Sequence, residues 1–250
     1  MTTPQTPDNW DNIKILPDRD MLVRFTAERI LRIASATLEV NNRFSIALAG
    51  GSTPEPIYRM LGEKFADTLD WSRVHIFFGD ERCVTPDHEE SNYKMVKATW
   101  LDHITIPNEN IHRIKGEDDP QTAATAYADD LTTFFADEEG TFDLNLLGMG
   151  GDGHTASLFP NTPAVHEKDA LMIAHHVKAK GNLWRISQTF STILKSNNIM
   201  FVVSGESKAP ALKQVLEGDY DPDTYPSQVI VHSKHQHVVW AIDQAAAQQL

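Results

Sequence analysis

The sequence predicts a three-layer α/β/α sandwich built on a mostly parallel β-sheet. Short apolar runs alternate along the chain with segments whose apolar residues recur every three or four positions, the spacing of a helix that buries one face. Glycine-rich polar clusters follow several of the apolar runs. Because alternating strands and helices join parallel strands through covering helices, these observations together indicate helices on both faces of one sheet.

The first elements are the clearest. Asp18 can cap a helix, because its side chain can accept from the first N–H groups of the helix. The apolar residues that follow are spaced by three and four and form one stripe: Val23, Ala27, Ile30, Ala34 and Leu38. Residues 44–49 form a short apolar run that is typical of a buried strand. Pro54 lies where a second helix would begin.

The remaining elements continue the alternation. We predict strands over residues 74–78, 142–147, 171–177, 199–203 and 238–242. We predict helices over residues 93–100, 122–135 and 206–216, and a short helix at the C-terminus. No repeat, low-complexity tract or linker divides the chain, so we expect a single domain over residues 1–250, with residues 1–17 as a poorly structured or peripheral segment.

Charge and composition exclude several classes of protein. The net charge is −13, from 22 basic and 35 acidic residues, which argues against nucleic acid or an anionic membrane as partner. The N-terminus lacks the apolar core of a signal peptide, and no run approaches the roughly 18 apolar residues of a membrane helix. Cys83 is the single cysteine, which excludes an internal disulfide and suits the reducing cytoplasm, where we expect the protein.

Residues 146–160 are the most informative segment. An apolar run ends there in four glycines, Gly148, Gly150, Gly151 and Gly153, which surround Asp152 and are followed at once by His154. Glycines let backbone N–H groups approach a ligand closely because no Cβ stands in the way. An Asp and a His at the mouth of such a loop supply an acid/base pair, so we interpret the segment as an active site.

The same glycines formally match the dinucleotide-binding fingerprint, and this alternative is disfavoured. That fingerprint needs a long helix opening at the third glycine and an acidic residue after the next strand. Pro160 follows Gly153 too soon for a full crossover helix. The next predicted strand ends in Lys178 rather than a carboxylate. We therefore expect no nicotinamide cofactor.

Three further clusters follow predicted strands: residues 50–54, 79–82 and 204–208. Taken singly, each has an ordinary interpretation as a tight turn, a solvated loop with an internal ion pair, or a helix start. Taken together they predict a ligand site, because ligands of parallel sheets bind beyond the carboxyl ends of the strands. Other histidines are less informative. His235 and His237 would share a face in a strand but lack a third metal ligand nearby, and His175 and His176 would point to opposite sides.

These motifs occur in the order found in 6-phosphogluconolactonases, which the chain resembles over about residues 20–245. The motifs are residues 49–54, 79–82, 91–93, 147–160 and 205–208. The resemblance implies the Rossmann-like α/β fold shared with glucosamine-6-phosphate deaminases and ribose-5-phosphate isomerases. It also implies hydrolysis of 6-phospho-D-glucono-1,5-lactone in the oxidative pentose phosphate pathway, without metal or cofactor.

The resemblance also implies roles for individual residues. His154 would act as the base that deprotonates water, and Asp152 would orient it. The implied substrate-binding residues are Gly50, Gly51, Ser52, Thr53, Asp80, Arg82, Gly151, Lys180, Arg185 and Lys208. The chain departs from the family's Arg-Ile-Thr-Leu-Thr strand at residues 185–189, where only the arginine and the neighbouring isoleucine and final threonine are kept. The proline pair that often follows the family's lysine is absent after Lys180.

The residues disfavour two alternative functions. Glucosamine-6-phosphate deaminases typically carry a carboxylate five residues after the histidine, where this chain has Phe159. A sugar-phosphate sensor would need an appended DNA-binding segment, and the acidic charge has the wrong sign for one. We expect a monomer or weak homodimer whose partner is a small sugar-phosphate lactone. We also predict that Arg82, Arg185 and Lys208 line one pocket, since an acidic protein must concentrate its cations to hold a dianion.

Overall fold

The computed structural model describes residues 12–136, 141–178 and 183–250. Its helices are α1 (Arg19–Val40), α2 (Glu55–Lys64), α3 (Asn92–Thr99), α4 (Pro120–Phe134), α5 (Phe190–Leu194), α6 (Ala209–Glu217) and α7 (Gln228–Val231). Its strands are β1 (Ile13–Leu16), β2 (Phe44–Leu48), β3 (Val74–Phe78), β4 (Asp80–Arg82), β5 (Ile111–His112), β6 (Leu144–Gly148), β7 (Met172–Val177), β8 (Leu183–Gln188), β9 (Ile199–Val203) and β10 (Val238–Asp243).

Seven strands form one parallel sheet in the order β1-β10-β9-β6-β2-β3-β5. Every residue of β2 and β9 is buried, as expected of central parallel strands covered on both faces. The mostly parallel sheet predicted from the alternation of elements is confirmed. Its carboxyl ends all point to one edge, where the predicted ligand site would lie.

Two hydrophobic clusters show that helices cover both faces of this sheet. Along β9, alternate residues pack into different clusters, with Phe201 in one and Met200 and Val202 in the other. Helices α1, α2, α3 and α4 contribute to the cluster that holds Met200, whereas α5, α6 and α7 contribute to the cluster that holds Phe201. The three-layer sandwich is therefore confirmed, with successive side chains of each strand serving opposite layers.

The predicted first helix forms as its sequence indicates. The Asp18 carboxylate accepts from the N–H of Met21 at 2.8 Å and caps α1. The predicted stripe is buried at four positions and partly buried at the fifth, Leu38. This stripe packs α1 against the sheet and against α2.

A second, three-stranded antiparallel sheet in the order β4-β8-β7 lies beside the main sheet. The strand predicted over residues 171–177 exists, but it belongs to this small sheet rather than to the parallel one. Residues 80–82, expected from their charge to lie in a polar loop, form β4. Their backbone pairs with β8 although all three side chains are charged. The strand is stabilised by its backbone hydrogen bonds to β8 and by the contacts of each side chain.

A buried pair of amides joins the two sheets. The side chains of Asn145 on β6 and Gln188 on β8 donate to each other's carbonyl oxygens at 2.8 and 3.0 Å. The N–H of Gln188 also donates to the carbonyl of Gly79, at 2.8 Å, where the chain passes from β3 into β4. These contacts fix the small sheet against the carboxyl end of the large one.

The two chain ends contain one additional strand and lack one predicted helix. Residues 13–16, part of the segment predicted to be poorly structured or peripheral, form the edge strand β1, which pairs with β10, and residues 1–11 lie outside the described residues. The predicted C-terminal helix is wrong, because residues 244–249 form turns after the Asp243 carboxylate accepts from the N–H of Ala246 at 2.8 Å. Within the described ranges, no helix combines the length and apolar character needed to cross a membrane.

Candidate active site

The loops that follow β2, β3, β6 and β9 meet at the carboxyl edge of the main sheet around a cavity of about 270 Å³. Its lining includes these residues: Gly50, Gly51, Ser52, Thr53, Asp80, Arg82, His154, Ser157, Phe159, Arg185 and Lys208. The small sheet closes one side of the cavity through β4 and β8. The position agrees with the rule that parallel sheets bind ligands beyond their carboxyl ends.

The loop after β6 folds tightly around its own backbone. The N–H of Gly150 donates to the carbonyl of His154 at 2.8 Å, and the N–H of Gly153 donates to the carbonyl of Gly150 at 3.1 Å. Gly153 has a φ of +78°, a conformation that favours glycine. A Cβ on Gly150 would lie 2.0 Å from Nδ1 of His154, so a glycine is required where the imidazole turns back over the loop.

His154 and Asp152 form a hydrogen-bonded pair at the mouth of the cavity. Nδ1 of His154 contacts the Asp152 carboxylate, and the ring of Phe159 lies 4.2 Å from the imidazole, centroid to centroid. Burial alone would raise the pKa of Asp152, but the hydrogen bond and charge of His154 hold that pKa well below its usual range. Asp152 is therefore ionised, and it orients the imidazole with Nδ1 toward the carboxylate, leaving Nε2 for other contacts.

Two arginines lie side by side on neighbouring strands of the small sheet. Arg82 on β4 lies directly opposite Arg185 on β8, and directly opposed residues of an antiparallel pair share a face. Burial lowers the pKa of Arg185, and the charge of Arg82 lowers it further. The guanidinium of Arg82 also donates to the backbone carbonyl of Glu90. Two neighbouring cations at a cavity wall suit a ligand of more than one negative charge.

The carboxylate of Glu81, between these cavity residues, points away from the cavity and holds the start of α3. It accepts from the N–H groups of Asn92 and Tyr93, both at 2.9 Å, and from the Ser91 hydroxyl at 3.1 Å. Burial raises the pKa of Glu81, although these hydrogen bonds oppose the shift. A carboxylate at a helix N-terminus is also stabilised by the helix dipole. The contact fixes the direction of β4.

Asn92 joins that helix to the loop after β2. Its side-chain amide donates to the backbone carbonyl of Asp80 at 2.9 Å. The same side chain lies so close to Gly50 that a Cβ there would be 1.8 Å from Oδ1 of Asn92. Gly51 follows with a φ of +98°, and the carbonyl of Ser52 accepts from Arg19 at 2.6 Å. The loop of residues 50–53 is thus held on both sides.

Lys208 is placed by a turn after β9. Gly205 has a φ of +97°, and its N–H donates to the buried carboxylate of Asp243 at 3.0 Å. The hydroxyl of Ser204 donates to the same carboxylate at 2.5 Å. A carboxylate at the end of β10 therefore shapes the neighbouring turn, which brings Lys208 to the cavity.

Comparison with known proteins identifies the family. The sequence profile described as glucosamine-6-phosphate isomerases/6-phosphogluconolactonase matches residues 17–240. The chain belongs to this family. It is 40% identical over 242 residues to a protein of Nostoc sp. named 6-phosphogluconolactonase, an alignment that covers 95% of this chain and 98% of the relative.

Two solved structures share this fold. A 6-phosphogluconolactonase from Trypanosoma cruzi superposes with a TM-score of 0.85 at 26% identity, covering 96% of both chains. A monomeric glucosamine-6-phosphate deaminase superposes with a TM-score of 0.81 at 21% identity, covering 96% of this chain and 100% of the other. The same fold thus occurs in a protein named as a lactonase and in one named as a deaminase, so the choice between the two reactions depends on the residues of the site.

The structure brings most of the residues predicted from the family resemblance together. Arg82, Arg185 and Lys208 line one cavity with the loop of residues 50–53, which confirms their predicted convergence. Asp152 and Gly151 do not line the cavity. Asp152 contacts His154 from behind, and Gly151 lies beside the backbone of the turn after β9, where a Cβ would be 3.4 Å from the carbonyl of Ser207. Lys180 lies outside the described residues. The functional roles of all these residues remain predictions.

Sequence reasoning missed several residues that shape the site. Ser157 and His175 contact each other beside the cavity, where Nε2 of His175 lies 2.6 Å from the carbonyl of Ser157. Burial lowers the pKa of His175, which favours its neutral form. The sequence predicts its alternation with His176, but the packing of a strand residue against a distant loop has no signal in a single sequence. Within the described ranges, no group of three or more His, Cys, Asp or Glu residues is placed to hold a metal ion.

Proposed function

We propose that this protein hydrolyses 6-phospho-D-glucono-1,5-lactone to 6-phospho-D-gluconate, the second step of the oxidative pentose phosphate pathway. The observation that carries the proposal is the His154–Asp152 pair at a cavity whose wall holds Arg82 and Arg185. A base beside a cluster of cations suits water attack on an electrophilic substrate that carries a phosphate. The family relatives named 6-phosphogluconolactonase support the same reaction.

The reaction needs one base and no covalent intermediate, because a lactone is an activated ester. Nε2 of His154 accepts a proton from water while the water oxygen adds to the lactone carbonyl. The Asp152 carboxylate stabilises the imidazolium that forms. When the tetrahedral intermediate collapses, the ring oxygen leaves and takes the proton back from Nε2. The product is a carboxylic acid that ionises at neutral pH.

Cations and backbone donors serve the two negative centres of the substrate. Arg185 and Lys208, with the hydroxyls of Ser52 and Thr53, would hold the phosphate by charge-assisted hydrogen bonds. The developing oxyanion would be met by Arg82 or by N–H groups of the glycine-rich loop. Within that loop the N–H groups of Gly150 and Gly153 already donate to backbone carbonyls, so other donors must supply this stabilisation.

Phe159 separates this proposal from an isomerase or deaminase. Deamination with ring opening needs a group that moves a proton at the sugar. Phe159 stands where deaminases of the family typically carry that carboxylate, and its ring packs on the imidazole of His154. A phenyl ring can neither give nor take a proton. It favours a reaction in which His154 and water suffice.

We further propose that the protein acts in the cytoplasm as a monomer or weak homodimer, without nucleic acid as a partner. The net charge of −13 argues against a nucleic-acid partner. The single cysteine is consistent with a reducing compartment.

The proposal is tested by supplying purified protein with freshly generated 6-phosphogluconolactone and, separately, with glucosamine 6-phosphate. Lactone loss is followed against the uncatalysed rate. We expect turnover of the lactone only, and we expect His154→Ala to lower kcat by about 10²–10⁴-fold. The matched control is His166→Ala, which removes a surface imidazole paired with Asp223 at 2.7 Å and should leave kcat unchanged. Turnover of glucosamine 6-phosphate instead of the lactone would refute the function, and a normal kcat in folded His154→Ala would refute the base.

A further inference from the structure

Ser157 is bound at three points to three different strands of the small sheet. Its hydroxyl donates to Oδ2 of Asp80 on β4 at 2.6 Å, and its N–H donates to the hydroxyl of Ser187 on β8 at 3.2 Å. Its carbonyl lies 2.6 Å from Nε2 of His175 on β7, which donates to it. Ser157 is 2% exposed, so water does not compete for these contacts.

The three anchors lie on the face of the small sheet that carries both arginines. Asp80 lies directly opposite Ser187, and Arg82 directly opposite Arg185. His175 lies directly opposite Arg185 on its other side. Residues that are opposed, or two apart on one strand, share a face. The surface that holds Ser157 is therefore the surface that presents the two guanidinium groups.

Ser157 also belongs to the loop that carries the base. It follows His154 by three residues, and the intervening backbone is constrained. The hydroxyl of Thr155 donates to the carbonyl of Gly148 at 2.9 Å, and Ala156 has a φ of +48°, which is uncommon for a residue with a Cβ. A displacement at Ser157 is thus transmitted to the imidazole rather than absorbed by a flexible segment.

We propose that Ser157 is a positioning residue that sets the distance between the His154 imidazole and the Arg82–Arg185 pair. The proposal rests on the proposed lactonase function, in which the arginines hold or polarise the substrate and His154 activates the water. A misplacement of about 1 Å between base and reacting carbon can cost about 10²-fold in rate. Removal of the hydrogen bonds between Ser157 and the small sheet should lower kcat. It should leave substrate binding intact, because both arginines remain in place on β4 and β8.

Two variants remove separate contacts of Ser157. Ser157→Ala deletes the hydroxyl that donates to Asp80, and Ser187→Ala deletes the acceptor of the Ser157 N–H. We expect each to lower kcat by about 10- to 100-fold with KM changed less than about threefold. The apparent pKa of the pH–rate profile should stay that of wild type, because the His154–Asp152 pair is untouched. Together the two changes should cost less than the product of their separate effects, since they loosen one link.

The matched control is Ser45→Ala. Ser45 is also 2% exposed, and its hydroxyl donates to the Asp143 carboxylate at 2.9 Å, near the amino-terminal end of β2 and away from the cavity. Its removal should lower the melting temperature about as much as Ser157→Ala does, without changing kcat.

The outcomes separate this proposal from the function it rests on. If wild type and Ser45→Ala do not hydrolyse the lactone, the proposed function fails on its own. If both are active and Ser157→Ala keeps a normal kcat, the positioning role is refuted. A KM rise beyond about threefold in Ser157→Ala would make Ser157 a substrate ligand instead, and an equal kcat decrease in Ser45→Ala would reduce the effect to general destabilisation. Should Ser157→Ala fail to fold, the same limits applied to Ser187→Ala decide the question.

Discussion

Replacing Arg185 by alanine distinguishes a role in substrate binding from a role in the chemical step. Arg185 is 7% exposed, lies opposite Arg82 and borders the cavity. Burial, followed by the charge of Arg82, lowers the pKa of Arg185, because the guanidinium has lost hydration and lies beside a like charge. An anionic phosphate bound to Arg185 would offset both effects. The phosphate does not react, so we expect Arg185 to bind it as strongly in the substrate as in the transition state.

The size of the effect follows from the hydrogen bond to phosphate that alanine cannot make. A hydrogen bond to a charged group contributes about 1.5–3 kcal/mol, so Arg185→Ala should raise KM by roughly 10- to 150-fold. Arg82 and Lys208 remain at the cavity, which keeps the decrease in affinity near that of one charged hydrogen bond. Uniform binding of this kind appears in KM, whereas interactions made only in the transition state appear in kcat. Arg185→Lys should recover part of the affinity, since it keeps the charge without the planar fork.

The assay compares initial rates on the phosphorylated lactone and on the same lactone without phosphate. Wild type and Arg185→Ala should be similarly poor on the second substrate, because the guanidinium has no phosphate to bind there. Arg24→Ala serves as the control, since Arg24 is an exposed residue paired with Glu28 on α1. If Arg185→Ala lowers kcat at unchanged KM, then Arg185 acts at the reacting carbonyl and our assignment of the pocket is reversed.

Three further outcomes are expected. Asp152→Asn should lower kcat by about 10²–10⁴-fold at nearly constant KM, because the amide cannot stabilise the imidazolium. An unchanged kcat in steady-state kinetics would exclude the orienting role of Asp152. Gly150→Ala should lower kcat at least about 10-fold, since its Cβ would displace the His154 ring, and a fully active variant would contradict the geometry. His112 has its pKa lowered to about 4 by burial and then by His75, so the unfolded chain takes up more protons below about pH 6.5. The free energy of unfolding, measured with urea, should therefore be full above about pH 6.5 and fall toward pH 4, and His112→Phe should flatten that slope.

The parallel core of this fold could be predicted because its residues carry local signals. Asp18 caps α1 and the apolar stripe behind it has helical spacing, while β9 is a continuous apolar run. The strand-end clusters followed from the same patterns, since parallel strands bring their carboxyl ends to one edge. His154 was recognisable because it is embedded in glycines, whose dense spacing is typical of a loop that approaches a ligand.

The small sheet could not be predicted from the sequence because nothing local indicates it. Asp80, Glu81 and Arg82 are charged, and a strand of three charged residues is formed only through its partner β8 and through contacts made far away in the chain. His175 and Ser157 are 18 positions apart and meet only after β7 joins that sheet. Such contacts depend on tertiary packing, which periodicity and spacing do not encode.

The alternation of β4 has a consequence for how this family can diverge. Glu81 is anchored in the interior on α3, whereas Asp80 and Arg82 on either side face the cavity. The strand thereby keeps its direction by a contact that no substrate touches. A replacement of Arg82 changes a cavity residue and leaves the contacts of Glu81 with α3 in place. A replacement of Asp80 would also remove the acceptor of the Ser157 hydroxyl, and a replacement of Glu81 would displace both cavity residues. We therefore expect substrate preference to change more readily through Arg82 than through the two acidic residues that precede it on the strand.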